Sequence, residues 1–125
     1  MIIRILRSLR KKKWQANFKK KSTLLGDVDF SITSKIILED GSTKEDIILG
    51  DKTRMYGILK SQNNGKIIFE ENTKVGMQTM IGAVNLIKIG KGTAIAHCVN
   101  IFDSNNHPIH PDDRKFMYST SWDSK

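Results

Sequence analysis

An internal repeat limits what this chain can fold into more than any other feature of its sequence. The pattern of residues 47–53 recurs at residues 67–73 and again at residues 87–93. A period of six residues lies inside the longer one. The shorter pattern has five defined positions: an apolar residue, a small or acidic residue, two variable residues, and a small or β-branched residue. It begins at Leu49, Phe69, Val75, Ile89 and Ile95. Neither an α-helix nor a simple hairpin produces this combination of periods.

A triangular coil does produce it, because three faces of six residues make one turn and two further residues extend a corner. The first position of each hexapeptide is expected to point into the core, and the fifth to lie near a corner that excludes bulky groups. Glycine at the second position is expected to suit the bend, since it tolerates positive φ. Asn63-Asn64-Gly65 is interpreted as a looped-out corner. The pattern predicts an all-β, left-handed parallel β-helix, with unrelated short antiparallel strands as the alternative.

The basic residues are concentrated at the N-terminus. Residues 1–21 contain nine lysines and arginines and no acidic residue, whereas residues 22–125 carry 12 basic and 13 acidic side chains. The net charge of +8 therefore belongs to an N-terminal segment, and this argues against a nucleic-acid-binding surface. An apolar stripe that includes Trp14 and Phe18 predicts a basic amphipathic helix or arm over residues 1–21.

Residues 22–125 are predicted to form the β-helix domain. Its first part, residues 22–46, is expected to contain short strands, with Val28, Phe30 and Ile32 alternating and Asp40-Gly41 forming a turn. No apolar run approaches the roughly 20 residues that span a bilayer. With a single cysteine, the chain is expected to be cytoplasmic. The basic segment is either a solvated arm or a peripheral anchor at the inner membrane surface.

The most specific segment of the sequence is residues 89–114, which reads IGKGTAIAHCVNIFDSNNHPIHPDDR. Over about residues 35–120 the chain resembles the hexapeptide-repeat acyltransferases, and this segment is similar to the coil and loop of the bacterial sugar O-acetyltransferases that act on galactosides, maltose and capsular polysaccharide. The resemblance implies that acetyl-CoA is the donor and that His107 is the catalytic histidine. It also implies a homotrimer, and it places the polar residue that contacts the acceptor at Gln78.

Acetyl transfer to a sugar hydroxyl requires a base that removes the hydroxyl proton, and a neutral imidazole suits that role. The polar side chains that precede His107 are expected to hold its ring or to contact acceptor hydroxyls. The predicted substrate-binding residues are therefore Gln78, Asp103, Asn105 and Asn106. The expected acceptor is a sugar or a lipid-linked saccharide precursor.

Two other functions stay open. The sequence ends at Lys125, soon after His107, whereas the family continues through further coils that form much of the acetyl-CoA groove. The chain is therefore interpreted as C-terminally short, and a non-catalytic scaffold is the second hypothesis. The third is a zinc site like that of the γ-class carbonic anhydrases, but the spacing of His97, His107 and His110 does not match it, so no metal is expected. His97 is expected to be exposed, and Cys98 is not proposed as a nucleophile because it has no visible activating partner.

Overall fold

The computed structural model describes Lys13 and residues 15–104. Within this part, short runs rich in β-branched and other apolar residues form the strands. The strands are β1 (Thr23–Leu24), β2 (Val28–Phe30), β3 (Lys35–Glu39), β4 (Ile47–Leu49), β5 (Thr53–Met55), β6 (Ile58–Gln62), β7 (Lys66–Phe69), β8 (Lys74–Val75), β9 (Met80–Ala83), β10 (Leu86–Ile89), β11 (Ala94–Ile95) and β12 (Asn100–Phe102).

Every third strand belongs to the same sheet. The first face contains β1, β4, β7 and β10, the second contains β2, β5, β8 and β11, and the third contains β3, β6, β9 and β12. All neighbouring strands within a face pair in parallel. Each coil therefore adds one strand to every face, and the chain is a β-solenoid of about four turns, consistent with the predicted left-handed β-helix.

The strand register confirms the predicted long repeat. Ile67 pairs with Ile47 on one side and with Ile87 on the other, so the three repeats stack directly on one another. The first hexapeptide positions point inward as predicted. Leu49, Phe69, Val75 and Ile81 are fully buried, while Ile89 and Ile95 pack against this core from the last coil and are partly buried. Burying each such side chain contributes about 1.5–3 kcal/mol, which makes this column the main source of stability.

The corners differ in length from coil to coil, and together with differences in strand length they keep Ile47, Ile67 and Ile87 in register. The second corner, which joins the second face to the third, contains residues 56–57 between β5 and β6 but residues 76–79 one coil later. The third corner, which joins the third face to the next coil, contains residues 63–65 between β6 and β7 but only residues 84–85 one coil later. Asn63 and Asn64 adopt φ of 52° and 59°, so the predicted looped-out corner is confirmed.

The expected role of glycine at the second hexapeptide position is wrong. Positive φ occurs instead at the fourth position, at Lys52, Asn72, Gln78, Gly92 and Cys98. At Gly50 and Gly76 glycine is needed because the next coil approaches the backbone closely. A Cβ atom on Gly50 would lie 2.7 Å from the carbonyl carbon of Glu70, and one on Gly76 would lie 2.7 Å from that of Ala96.

The solenoid begins before the repeats do, at β1. Residues 15–19 are helical and precede the first coil, and the ring of Phe18 stacks on Phe30 with centroids 4.0 Å apart. The Ser22 hydroxyl donates to the carbonyl oxygen of Phe18 over 2.7 Å, which ends the helix. The predicted turn at Asp40-Gly41 is confirmed, with φ of 53° and 86°. The predicted alternation fails at Ile32, which is 80% exposed because it lies in the second corner rather than on a strand.

No helix in residues 15–104 is long and apolar enough to cross a membrane.

Candidate functional site

The predicted site residues that the structure describes lie in the last two coils. Gln78 is at the second corner, and Asp103 is at the third corner. Asn105, Asn106 and His107 lie outside the described residues. Gln78 and Asp103 are separated by the third face, on which β9 and β12 are neighbouring strands.

The second corner is built on two stacked turns, residues 76–79 and 96–99. Gln78 and Cys98 both adopt left-handed backbone conformations, with φ of 62° and 57°. The buried hydroxyl of Thr79 joins the turns, because it donates to the carbonyl oxygen of Ala96 over 2.6 Å and accepts from the N–H of Val99 over 3.2 Å. The exposed side chains of this corner therefore project from a backbone that is fixed by hydrogen bonds between coils.

Gln78 and Cys98 contact each other at this corner. The Cys98 thiol donates to Oε1 of Gln78 over 3.2 Å, and both residues are exposed. The thiol thus has a neutral amide oxygen as its hydrogen-bond partner.

His97 is exposed, as predicted, and its tautomer follows from its hydrogen bond. Its Nδ1 accepts from the N–H of Met77 over 3.1 Å, so the proton of the neutral ring is on Nε2. In this state Nδ1 accepts the backbone proton of Met77, and the N–H of Nε2 is the ring's donor. His97 can therefore donate a hydrogen bond to a ligand, but it cannot remove a proton without first losing its contact with Met77.

Asp103 closes the third corner of the preceding coil. Its Oδ1 accepts from the N–H of Val84 over 2.7 Å, and its Oδ2 accepts from the N–H groups of Asn85 and Leu86 over 2.8 and 2.7 Å. Burial alone would raise the pKa of the Asp103 carboxyl, but the three backbone N–H groups outweigh it and the pKa is lowered. The structure thus places Asp103 as an anchor for the end of β12, with both oxygens occupied by backbone donors.

Gln78 and Asp103 are not brought together. Cys98, which contacts Gln78, and Asp103 lie at opposite ends of β12, and a rise of about 3.3 Å per residue separates them by roughly 15 Å. The two side chains therefore cannot bind the same hydroxyl group. An acceptor that met both would have to extend along the third face.

An aromatic side chain on that face was not singled out from the sequence. Phe102 is 38% exposed and lies at the end of β12, directly before Asp103. It projects outward because its neighbour in the strand, Ile101, packs against the core. The strand alternation contained this signal, since an inward Ile101 requires an outward Phe102.

A groove of about 320 Å³ lies elsewhere, on the second face. Its charged lining includes acidic and basic side chains in similar number, and the lining residues are Asp27, Asp29, Lys52, Thr53, Arg54, Asn72, Thr73 and Lys74. None of these is a predicted site residue, and oppositely charged groups share the groove. We therefore place the candidate site at the third face and its two corners rather than in this groove.

Among the described residues, no three histidine, cysteine, aspartate or glutamate side chains converge as metal ligands. His107 and His110 lie outside this part of the chain, so the zinc hypothesis stays open.

Comparisons with known proteins identify no relative: no protein-family model, no curated protein and no solved structure matches this chain.

Proposed function

We propose that this chain is an acetyl-CoA-dependent O-acetyltransferase, or the N-terminal part of one, that acetylates a hydroxyl of a sugar or saccharide precursor. The β-solenoid supports this proposal together with the family resemblance of residues 89–114. The observation that carries it is the anchoring of Asp103 by three backbone N–H groups. This anchor fixes Asp103, which stands four residues before His107 in the sequence.

In the proposed reaction His107 removes the proton of the acceptor hydroxyl as its oxygen attacks the carbonyl carbon of the thioester. The new C–O bond gives a tetrahedral oxyanion, which a hydrogen-bond donor stabilises. The C–S bond then breaks, and the CoA thiolate takes the proton back from His107. Asn105 and Asn106 are proposed to contact acceptor hydroxyls, and Gln78 is proposed to bind a more distant part of the acceptor. Asp103 is proposed as a positioning residue, because three backbone N–H groups already hold its carboxylate.

The assembly and location are also proposals. A homotrimer would place each site between neighbouring solenoids, as the family resemblance implies. Residues 1–21 would contact an anionic membrane surface on the cytoplasmic side, which would suit a lipid-linked acceptor. Because Phe18 packs against Phe30, the apolar stripe that is available to lipid ends before Phe18.

The test compares the full chain with His107→Ala and with His97→Ala as a matched control. Each protein is incubated with acetyl-CoA and a panel of simple glycosides, and the acetylated product is detected by mass spectrometry. Thiol reagents are avoided because Cys98 is exposed and would react with them. We expect His107→Ala to reduce transfer about 10²- to 10⁴-fold and His97→Ala to leave it unchanged.

Undiminished transfer by His107→Ala would contradict the assignment of the base. Titration of the wild-type chain with acetyl-CoA by calorimetry separates the two main functions. If the folded chain does not bind acetyl-CoA, the scaffold hypothesis is favoured over the enzyme.

A further inference from the structure

The outer surface of the third face carries an aromatic ring that covers a glycine. Gly82 and Phe102 pair directly across β9 and β12. Gly82 is buried although it faces outward, and a Cβ atom at this position would lie 2.6 and 2.7 Å from Cδ1 and Cε1 of Phe102. The ring therefore lies over the backbone of the preceding coil in a space that only glycine leaves open.

The exposed part of this ring is unusual in this molecule. The described part of the chain has five large hydrophobic side chains that are exposed, and Phe102 is the single aromatic one among Leu25, Ile32, Met77, Leu86 and Phe102. Its backbone is held in place by the hydrogen bonds of the adjacent Asp103, one of which reaches Val84 over 2.7 Å. Ring and strand thus form a rigid apolar platform beside the chain that leads to His107.

The position of the platform connects it with the candidate site. Asp103 follows Phe102 directly, and the Gln78 corner lies at the other end of the same strand pair. A ligand that extends from the third corner towards Gln78 must pass over the third face, where Phe102 is exposed.

We propose that Phe102 binds the acceptor by stacking against the apolar face of a sugar ring. This inference rests on the proposed function for the class of its ligand. The face of an aromatic ring carries partial negative charge, and the C–H groups on one side of a pyranose carry partial positive charge, so the two surfaces attract each other. Stacking also removes apolar surface of both partners from water. Polar groups at the adjacent corners would then hydrogen-bond to the sugar and determine which arrangement of its hydroxyl groups is bound.

A purely structural role is the competing explanation, because a large side chain over Gly82 also protects the sheet. Phe102→Leu separates the two roles, since leucine still covers Gly82 but has no aromatic face. Phe102→Tyr keeps the aromatic ring face and should therefore bind the sugar as wild type does. Ile32→Ala is the matched control, because it removes another exposed apolar side chain at the opposite end of the solenoid.

The experiment measures binding of methyl β-D-glucopyranoside to the full chain by saturation-transfer NMR, without acetyl-CoA. Acetyl transfer to the same glycoside is measured separately. We expect Phe102→Leu to weaken binding and raise the acceptor KM about three- to tenfold, with kcat and the melting temperature little changed. We expect Phe102→Tyr to bind the glycoside about as well as wild type.

Equal binding by wild type and Phe102→Leu, or no binding by wild type, would overturn the platform whatever the transfer assay gives. Binding that is lost in Phe102→Leu and restored in Phe102→Tyr supports it, even where no acetyl transfer is found. In that case the proposed reaction fails while the sugar platform stands.

Discussion

Replacing Asp103 by asparagine tests how the third corner is held. An asparagine has one oxygen, which at the Oδ2 position keeps the bonds from Asn85 and Leu86. Its NH₂ group then faces the N–H of Val84, so that one charge-assisted hydrogen bond is lost and two donors oppose each other. Hydrogen bonds to charged groups contribute about 1.5–3 kcal/mol. Since Asp103 is partly exposed, we expect a loss of about 2 kcal/mol in the free energy of unfolding of this coil.

Amide hydrogen exchange measures this loss of local stability directly at the third corner. A change of about 2 kcal/mol corresponds to a loss of roughly 30-fold in the protection of the Val84 amide. If the whole domain unfolds together, the melting temperature should fall by about 8 °C. The matched control is Asp51→Asn, because Asp51 accepts a single backbone bond, from Asp27 over 2.8 Å, which an amide oxygen can replace. Equal effects of the two substitutions, or unchanged protection of Val84, would refute the reasoning.

The same carboxylate gives the effect a pH dependence. The pKa of Asp103 is lowered in the folded chain relative to the unfolded value of about 3.9, so its contribution is present above that value and is lost as pH falls towards the folded pKa. The difference in stability between wild type and Asp103→Asn should therefore be constant near neutral pH and shrink below about pH 4. A difference that stayed constant far below that pH would mean that the charge is not responsible.

Three further predictions concern the solenoid, and urea denaturation tests each of them. Gly76→Ala should destabilise the chain by about 1–3 kcal/mol, because the new Cβ would lie 2.7 Å from the backbone of the next coil. Its control, Gly90→Ala, should be neutral or slightly stabilising, because no atom lies within 4 Å of that Cβ position. Phe18→Ala should lower stability by about 1–3 kcal/mol through loss of its stack, and Leu25→Ala, which is 62% exposed, should change it by less than about 0.5 kcal/mol. Phe69→Ala should cost about 3–5 kcal/mol because it opens a cavity in the buried column.

The fold was predictable from the sequence wherever the coils have equal length. Ile47, Ile67 and Ile87 repeat at equal intervals, and the strand pairs follow those intervals. The first coil could not be predicted in the same way, because Thr23 pairs with Ile48 and Lys35 with Ile58, and both partners are further apart in sequence than the later ones. The extra residues lie in corners. The buried apolar side chains of the core all lie on strands, so the length of a corner can change without disturbing the six-residue spacing of the core.

The site was less predictable than the fold. Asp103 is predicted to contact substrate because it stands in a polar run near His107, and that contact stays a prediction. Its three bonds to backbone N–H groups of the preceding coil were not indicated by the sequence. Which carboxylate meets which backbone depends on how two coils stack, and a local motif does not contain that information. The covering of Gly82 by Phe102 has the same origin, since the two residues are neighbours only across coils.

The equal spacing of Ile47, Ile67 and Ile87 also has a genetic consequence. A duplication of the codons of one repeat in this region would insert a complete coil, because the residues on both sides of the join keep their faces and their stacking partners. The breakpoints fall most simply in the first face, where β4, β7 and β10 stack at intervals of 20 residues. A chain built in this way can lengthen in evolution by whole turns without first passing through a misfolded ancestor.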